Sequence, residues 1–203
     1  EAYEFYLRAK HKYDKRENKD DTEIARGLLK KAIELDDNLI RAKTLLGWTY
    51  KEMGDYDKAM EIFTSTLKQA DGIGDKKGMG PSLMGIGNVH SDKGDYEKAL
   101  DYYARSLEIQ ENLGDKRGMG ASLTNIGNVH YHKGDLDKAL DYYERSLAIF
   151  EELGDKRGMG VSLHNIGLVH KTKGDYGKAL DYYGRSLAIA EELGDKVGIG
   201  FSL

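Results

Sequence analysis

Residues 114–153 read GDKRGMGASLTNIGNVHYHKGDLDKALDYYERSLAIFEEL, and the next forty, 154–193, read GDKRGMGVSLHNIGLVHKTKGDYGKALDYYGRSLAIAEEL. The two align without a gap and share 31 of 40 residues; the preceding copy, 74–113, shares 28 of 40 with the first. A fixed period of this size marks an array of stacked supersecondary units. Within one copy, Leu123, Ile126, Gly127, Val129 and His130 fall on one stripe at helical spacing, predicting a helix from about Lys116 to Lys133. Gly134-Asp135 breaks it, with Asp135 placed as an N-cap. A second apolar stripe (Ala139, Leu140, Tyr143, Leu147, Ile149) predicts a helix from about Leu136 to Leu153, ended by Gly154-Asp155. Two helices, each roughly 26 Å long, joined by a tight turn make an αα-hairpin.

Working outward, Gly47, Tyr50, Gly54-Asp55-Tyr56, Ala59 and Phe63 continue the register upstream. Ala25 precedes Ala59 by 34 residues, so the link there is shorter. The expected organisation is a cap-like helix pair at 1–36 and repeats at 37–73, 74–113, 114–153 and 154–193. A further repeat starts at 194–203. The first pair carries a charged loop, Arg16-Glu17-Asn18-Lys19-Asp20-Asp21, between its helices. The single proline, Pro81, is expected in the first turn of a helix, where its missing N–H costs little. No linker composition or domain break is visible. The unfinished last repeat, and a first residue that is not Met, read as a fragment of a longer protein.

The chain has 203 residues, 39% of them apolar, a net charge of −4 and no cysteine. Cysteine-free composition removes disulfides and thiolate metal sites. A mildly acidic chain lacks the basic excess that nucleic-acid binding needs. No apolar run approaches a membrane span and the first residues are not a signal peptide, so the expected setting is cytoplasmic with neither nucleic acid nor membrane as partner. No nucleophile–base–orienter set is legible, so no enzyme activity and no cofactor are expected. The glycine-rich Gly114-Asp115-Lys116-Arg117-Gly118-Met119 link lacks the Gly-Lys-Ser/Thr of a phosphate loop and follows no strand. His90, His130 and His170 recur at the repeat period, which spaces them too far apart for shared metal ligation, so no metal site is expected.

These spaced positions resemble the tetratricopeptide repeat, whose pattern asks for a large apolar residue, Leu, Gly and Tyr on the first helix and Ala, an aromatic and a small residue on the second. Leu83, Ile86, Gly87, His90, Ala99, Tyr103 and Ser106 answer it, as do their partners 40 and 80 residues on. The histidines stand where the family has Tyr, a packing position. The 40-residue period is similar to the long-repeat branch found in Pins-like adaptors, kinesin light chain and bacterial signalling proteins. The resemblance implies an all-α, right-handed superhelical solenoid of antiparallel helix pairs with the first helices lining a concave groove. Its glycines let the two helices approach, with Ala99, Ala139 and Ala179 as the expected reciprocal positions.

The copies differ along the first helix at Pro81/Ala121/Val161, Met84/Thr124/His164, Gly85/Asn125/Asn165, Asn88/Asn128/Leu168, Ser91/Tyr131/Lys171 and Asp92/His132/Thr172. Those offsets trace one helix face. With the family geometry, that face is the expected ligand groove, binding a protein or peptide segment. Its residues are Trp48, Met84, Asn88, Thr124, Asn125, Asn128, Tyr131, His132, His164, Asn165, Leu168 and Lys171. Asn amides both donate and accept, as gripping a peptide backbone requires. Two plainer readings stand beside this: any solvated face drifts after duplication, and the Asn side chains bridge neighbouring helices. The carboxylate clamp of chaperone co-adaptors would need Lys and Arg where Met84, Val161 and Asn165 stand, so a chaperone tail is not the expected ligand. Two other roles remain open: a regulatory segment of a larger signalling protein or enzyme, and a rod that self-associates end to end through Ile199 and Leu203.

Overall fold

The structure, a computed structural model, describes residues 1–194. Ile199 and Leu203, the basis for end-to-end stacking, lie outside the described residues. Among the described residues there are ten helices and no strand: α1 (Ala2–Asp14), α2 (Lys19–Leu35), α3 (Ile40–Glu52), α4 (Tyr56–Gly72), α5 (Lys76–Asp92), α6 (Tyr96–Leu113), α7 (Lys116–His132), α8 (Leu136–Leu153), α9 (Lys156–Thr172) and α10 (Tyr176–Leu193). The two helices read from the 114–153 copy thus form within one residue of their expected ends. Contacts divide the chain into two compact units, Glu1–Ile109 and a second that begins at Gln110. The division falls inside α6, a continuous helix whose composition carries no sign of it.

Turn chemistry explains the hairpin ends. Gly154 adopts φ 61°, a left-handed conformation open to Gly at no steric cost, and caps α8. The Asp155 N–H then reaches back to the Phe150 carbonyl at 2.9 Å. Asp155 starts α9 by accepting from the Gly158 N–H, and Asp75 and Asp115 do the same for Gly78 and Gly118. Asp135 sits at the N-cap of α8 as expected, yet makes no side-chain cap bond. Its carboxylate faces His130 instead.

Two expectations need correction. Pro81 lies in the second turn of α5, not the first, because Asp75 starts that helix earlier. There its ring removes a bond that the helix would otherwise make. The charged loop between α1 and α2 is also shorter than expected. Asn18 caps α2 by accepting from the Asp21 N–H, which draws Lys19, Asp20 and Asp21 into the first helical turn.

In the second unit Ala139, Tyr143 and Leu147 of α8 close on Leu163, Ile166 and Val169 of α9. Each large apolar side chain buried in this way contributes about 1.5–3 kcal/mol. The Tyr143 ring lies over Gly127, where an added Cβ would stand 2.6 Å from Cε1. In the first unit Tyr103 covers Gly87 in the same manner, and Phe63 covers both Gly47 and Gly85. The nearest partner of the constant glycine is therefore the aromatic of the second helix; Gly167 also meets the Ala179 carbonyl, at 3.3 Å. The small residue of the family pattern has a polar role too. Ser146 donates to the Gly120 carbonyl at 2.9 Å, and Ser106 and Ser186 donate likewise to Gly80 and Gly160.

Candidate functional site

In the second unit α7 runs beside α9, so the varied positions of these two first helices lie on neighbouring elements. Asn125, Asn128, His164, Asn165, Leu168 and Tyr131 are half-buried on them, and His132 and Lys171 are exposed. Thr124 is the exception. It is buried, donates to the Gly120 carbonyl at 3.0 Å and stands 2.8 Å from the Ser146 hydroxyl, so it belongs to the packing between α7 and α8.

The asparagines are partly committed within the fold. Tyr143 Oη donates to Asn128 Oδ1 at 2.7 Å, and Asn165 Nδ2 approaches the same oxygen at 3.4 Å. A buried phenol needs such an acceptor. Burial holds the Tyr143 pKa well above its ordinary value, so the group stays an O–H donor. These bonds occupy the Asn128 oxygen and one Asn165 donor, and leave the Asn128 amide donors and the Asn165 oxygen outside them. The bridging role considered for the asparagines is thus present at the Asn128–Asn165 pair.

Around these amides the surface is aromatic and aliphatic. Tyr131 joins α7 to α9 through its hydroxyl, 2.9 Å from Thr172 Oγ1, and meets the His132 ring edge-on at 5.8 Å. The His164 ring lies 5.3 Å from that of Tyr183, and burial pushes its pKa below the ordinary value. Leu168 replaces the asparagine of the earlier copies, so α9 carries an apolar side chain where α7 carries an amide.

The first unit carries its own version on α3 and α5. Trp48 is half-buried and packs edge-on against Phe63 at 5.2 Å. Met84 and Asn88 are half-buried on α5, and Asn88 accepts from the Tyr103 hydroxyl as Asn128 does from Tyr143.

The repeated histidines pack within their own hairpins. His90, His130 and His170 stack on Tyr102, Tyr142 and Tyr182 at 5.5, 5.4 and 5.5 Å. Their Nδ1 atoms face Asp95, Asp135 and Asp175 at 3.5, 3.3 and 3.8 Å. This agrees with the packing position read from the sequence, and adds an aspartate beside each ring, hydrogen-bonded at His130. Among the described residues no group of three or more His, Cys, Asp or Glu side chains is placed to hold a metal. No helix among them is long and apolar enough to cross a membrane.

Spacing along the chain does not reveal that Arg117, Arg157 and Phe150 line one cleft. Only the variation at position 150, against Gln110 in the preceding copy, hinted at it.

Residues 79–152 and 118–192 match one family model described as tetratricopeptide repeat, and residues 40–68 match a second with the same description. No curated protein matches the chain in sequence. Among solved structures, BtubC from P. vanneervenii shares 25% identity over 86% of this chain and 75% of its own, with a TM-score of 0.70. A Rap protein complexed with competence and sporulation factor shares 21% identity over 98% of this chain, with a TM-score of 0.87; the match spans 56% of that protein. A signal transduction ATPase with a tetratricopeptide repeat sensor, from Pyrococcus horikoshii, shares 20% identity over 99% of this chain and 31% of its own, with a TM-score of 0.80.

Proposed function

Because the chain belongs to the tetratricopeptide repeat family, we propose that it is a protein-interaction scaffold that binds a peptide segment of a partner on the surface of its first helices. In the second unit that surface is the α7–α9 face with Asn125, Asn128, Asn165, His164, Leu168 and Tyr131; Lys171 and His132 lie at its edge. In the first unit Trp48, Met84 and Asn88 have the corresponding place. The observation that carries the reading is that, along the first helix, nearly all the differences between the copies fall on this one face, where half-buried amides sit among aromatic and aliphatic side chains. An extended backbone presents alternating N–H and C=O groups, which amides match whatever the side chains. The fold shared with a Rap protein complexed with competence and sporulation factor supports an array that binds a partner.

A second reading, a regulatory segment of a larger signalling protein, draws on the similarity to an ATPase with a tetratricopeptide repeat sensor. In that case the same face receives another part of its own protein.

Peptides selected from a displayed random library on the native chain test the reading. Replacing Asn125 and Asn165 together by Ala should weaken the selected peptides by about 1–3 kcal/mol, the cost of losing buried hydrogen bonds. Glu144→Ala on the exposed side of α8 should leave them unchanged. Peptides that bind both variants equally would remove the assignment of this face.

A further inference from the structure

The acidic chain keeps its carboxylates off the two first helices of the second unit, and the one carboxylate in the cleft between their N-terminal ends is that of Asp155. Neither α7 nor α9 contains a single Asp or Glu, and every charged side chain on them is Lys or Arg; among the described residues of the second unit the acidic ones stand on the end of α6, on α8 and α10 and in the turns. Lys116 and Lys156 are offset by ion pairs to Glu152 and Glu192. The arginines are differently placed. Arg117 and Arg157 line a cleft of about 470 Å³ whose apolar wall is Ala121, Phe150 and Leu193. Arg117 pairs with Asp155 at 2.9 Å, yet its side chain stays 74% exposed, while Asp155 is held back as the N-cap of α9. The apolar wall exists because the Phe150 ring packs against Gly120 of α7 and Gly158 of α9, where any Cβ would collide with it. The preceding copy has Gln110 at this place, bonded to Ser122, and so lacks the aromatic wall.

We propose that this cleft is the anchoring subsite for a peptide segment carrying a carboxylate beside a large apolar side chain. The proposal rests on the peptide-binding reading above and names the class of partner. Guanidinium groups recognise a carboxylate through two parallel hydrogen bonds. The Phe150 wall takes the neighbouring apolar group, and the volume suits one or two residues. Ala121 is the first position of the varied face, and Asn125 lies one turn further along α7, so a chain anchored here continues onto the amides. The two arginines of the subsite stand outside the positions at which the family's carboxylate clamp carries Lys and Arg. A nucleic acid fits less well: two guanidiniums beside a carboxylate neutralise too few phosphates, and an apolar wall gives a phosphate nothing.

The test uses two fluorescein-labelled decapeptide pools on the intact chain, one with Asp or Glu flanking Leu or Phe, the other with Asn or Gln in place of the acids. The acidic pool should bind at least tenfold tighter. The double variant Arg117→Gln/Arg157→Gln should erase that preference while keeping the native helical signal and melting temperature. Arg117→Lys/Arg157→Lys should retain part of it. Equal binding of the two pools, with both weakened by Asn125→Ala/Asn165→Ala, would overturn the subsite and leave the scaffold reading standing. Binding of neither pool would overturn the subsite and count against the scaffold reading as well. An oligothymidylate that matches the acidic pool and is lost in the Arg→Gln variant would overturn the peptide assignment.

Discussion

At the scale of single residues, Gly127 and Gly184 show how the same residue type is required at one place and dispensable at another. Both lie inside helices. A Cβ at Gly127 would meet three atoms of the buried Tyr143 ring, at 2.6, 2.8 and 3.2 Å, whereas a Cβ at Gly184 meets nothing within 4 Å. Gly127→Ala should therefore destabilise the chain by roughly 1–3 kcal/mol, as overpacking does. Gly184→Ala should stabilise it by about 0.5–1 kcal/mol through helix propensity. Denaturant titration of the two variants checks the opposite signs. His164 offers a second residue-level test. Burial lowers its pKa from 6.5 in the fold, so the unfolded chain binds more protons below that value. Stability should fall as the pH drops from about 7.5 to 5.5, and His164→Gln should flatten that slope. The aspartates held low by lysine partners, such as Asp137 beside Lys173, lose their contribution only at more acid pH, below the ordinary 3.8. Parallel slopes for the two proteins would refute the assignment. The constancy of Gly127 across copies was legible in the sequence. The ring that requires it was not, because the pattern names Ala and Tyr on the second helix without saying which one meets the glycine.

At the scale of elements, helix starts and stops followed from local chemistry: Gly at left-handed positions, Asp at N-caps, apolar stripes between. The exceptions are equally local. Pro81 sits inside α5 because Asp75 caps that helix one turn earlier than the proline suggested. Ala121, the equivalent residue of α7, shows that the site accepts an ordinary side chain. Pro81→Ala should restore a backbone bond and raise stability by roughly 1–3 kcal/mol, read as a higher midpoint of thermal unfolding. An unchanged midpoint would mean that the helix start already accommodates the ring. The candidate surface was legible as a set of positions sharing a helix face. What each position does was not. The Asn128–Tyr143 bond joins residues 15 apart on different helices, and Thr124 turns inward to Ser146, contacts set by how α7 seats on α8.

At the scale of the whole molecule, the repeat implies stability built from neighbour-to-neighbour terms rather than one core. The division into two compact units inside α6 gives this a test. Phe150 packs between α7 and α9, and Phe150→Ala should cost about 3–5 kcal/mol. Amide hydrogen exchange should then lose protection across α7, α8, α9 and α10 while α1 to α4 keep theirs. An even loss along the chain would mean that it opens as one cooperative body.

By itself the sequence determined the all-α class, the hairpin as the repeating element, the family, and which helix face varies. These follow from spacing, and spacing along a helix is a local property of the chain. Only the tertiary structure decided which varied residues stay at the surface and which are absorbed. Packing between helices assigned Thr124 to the Ser146 hydroxyl and the Asn128 oxygen to Tyr143. It also brought Arg117 and Arg157, 40 residues apart, to one cleft with the Phe150 ring. Such meetings depend on the distance and seating of neighbouring helices, which many side chains set together and no single motif records.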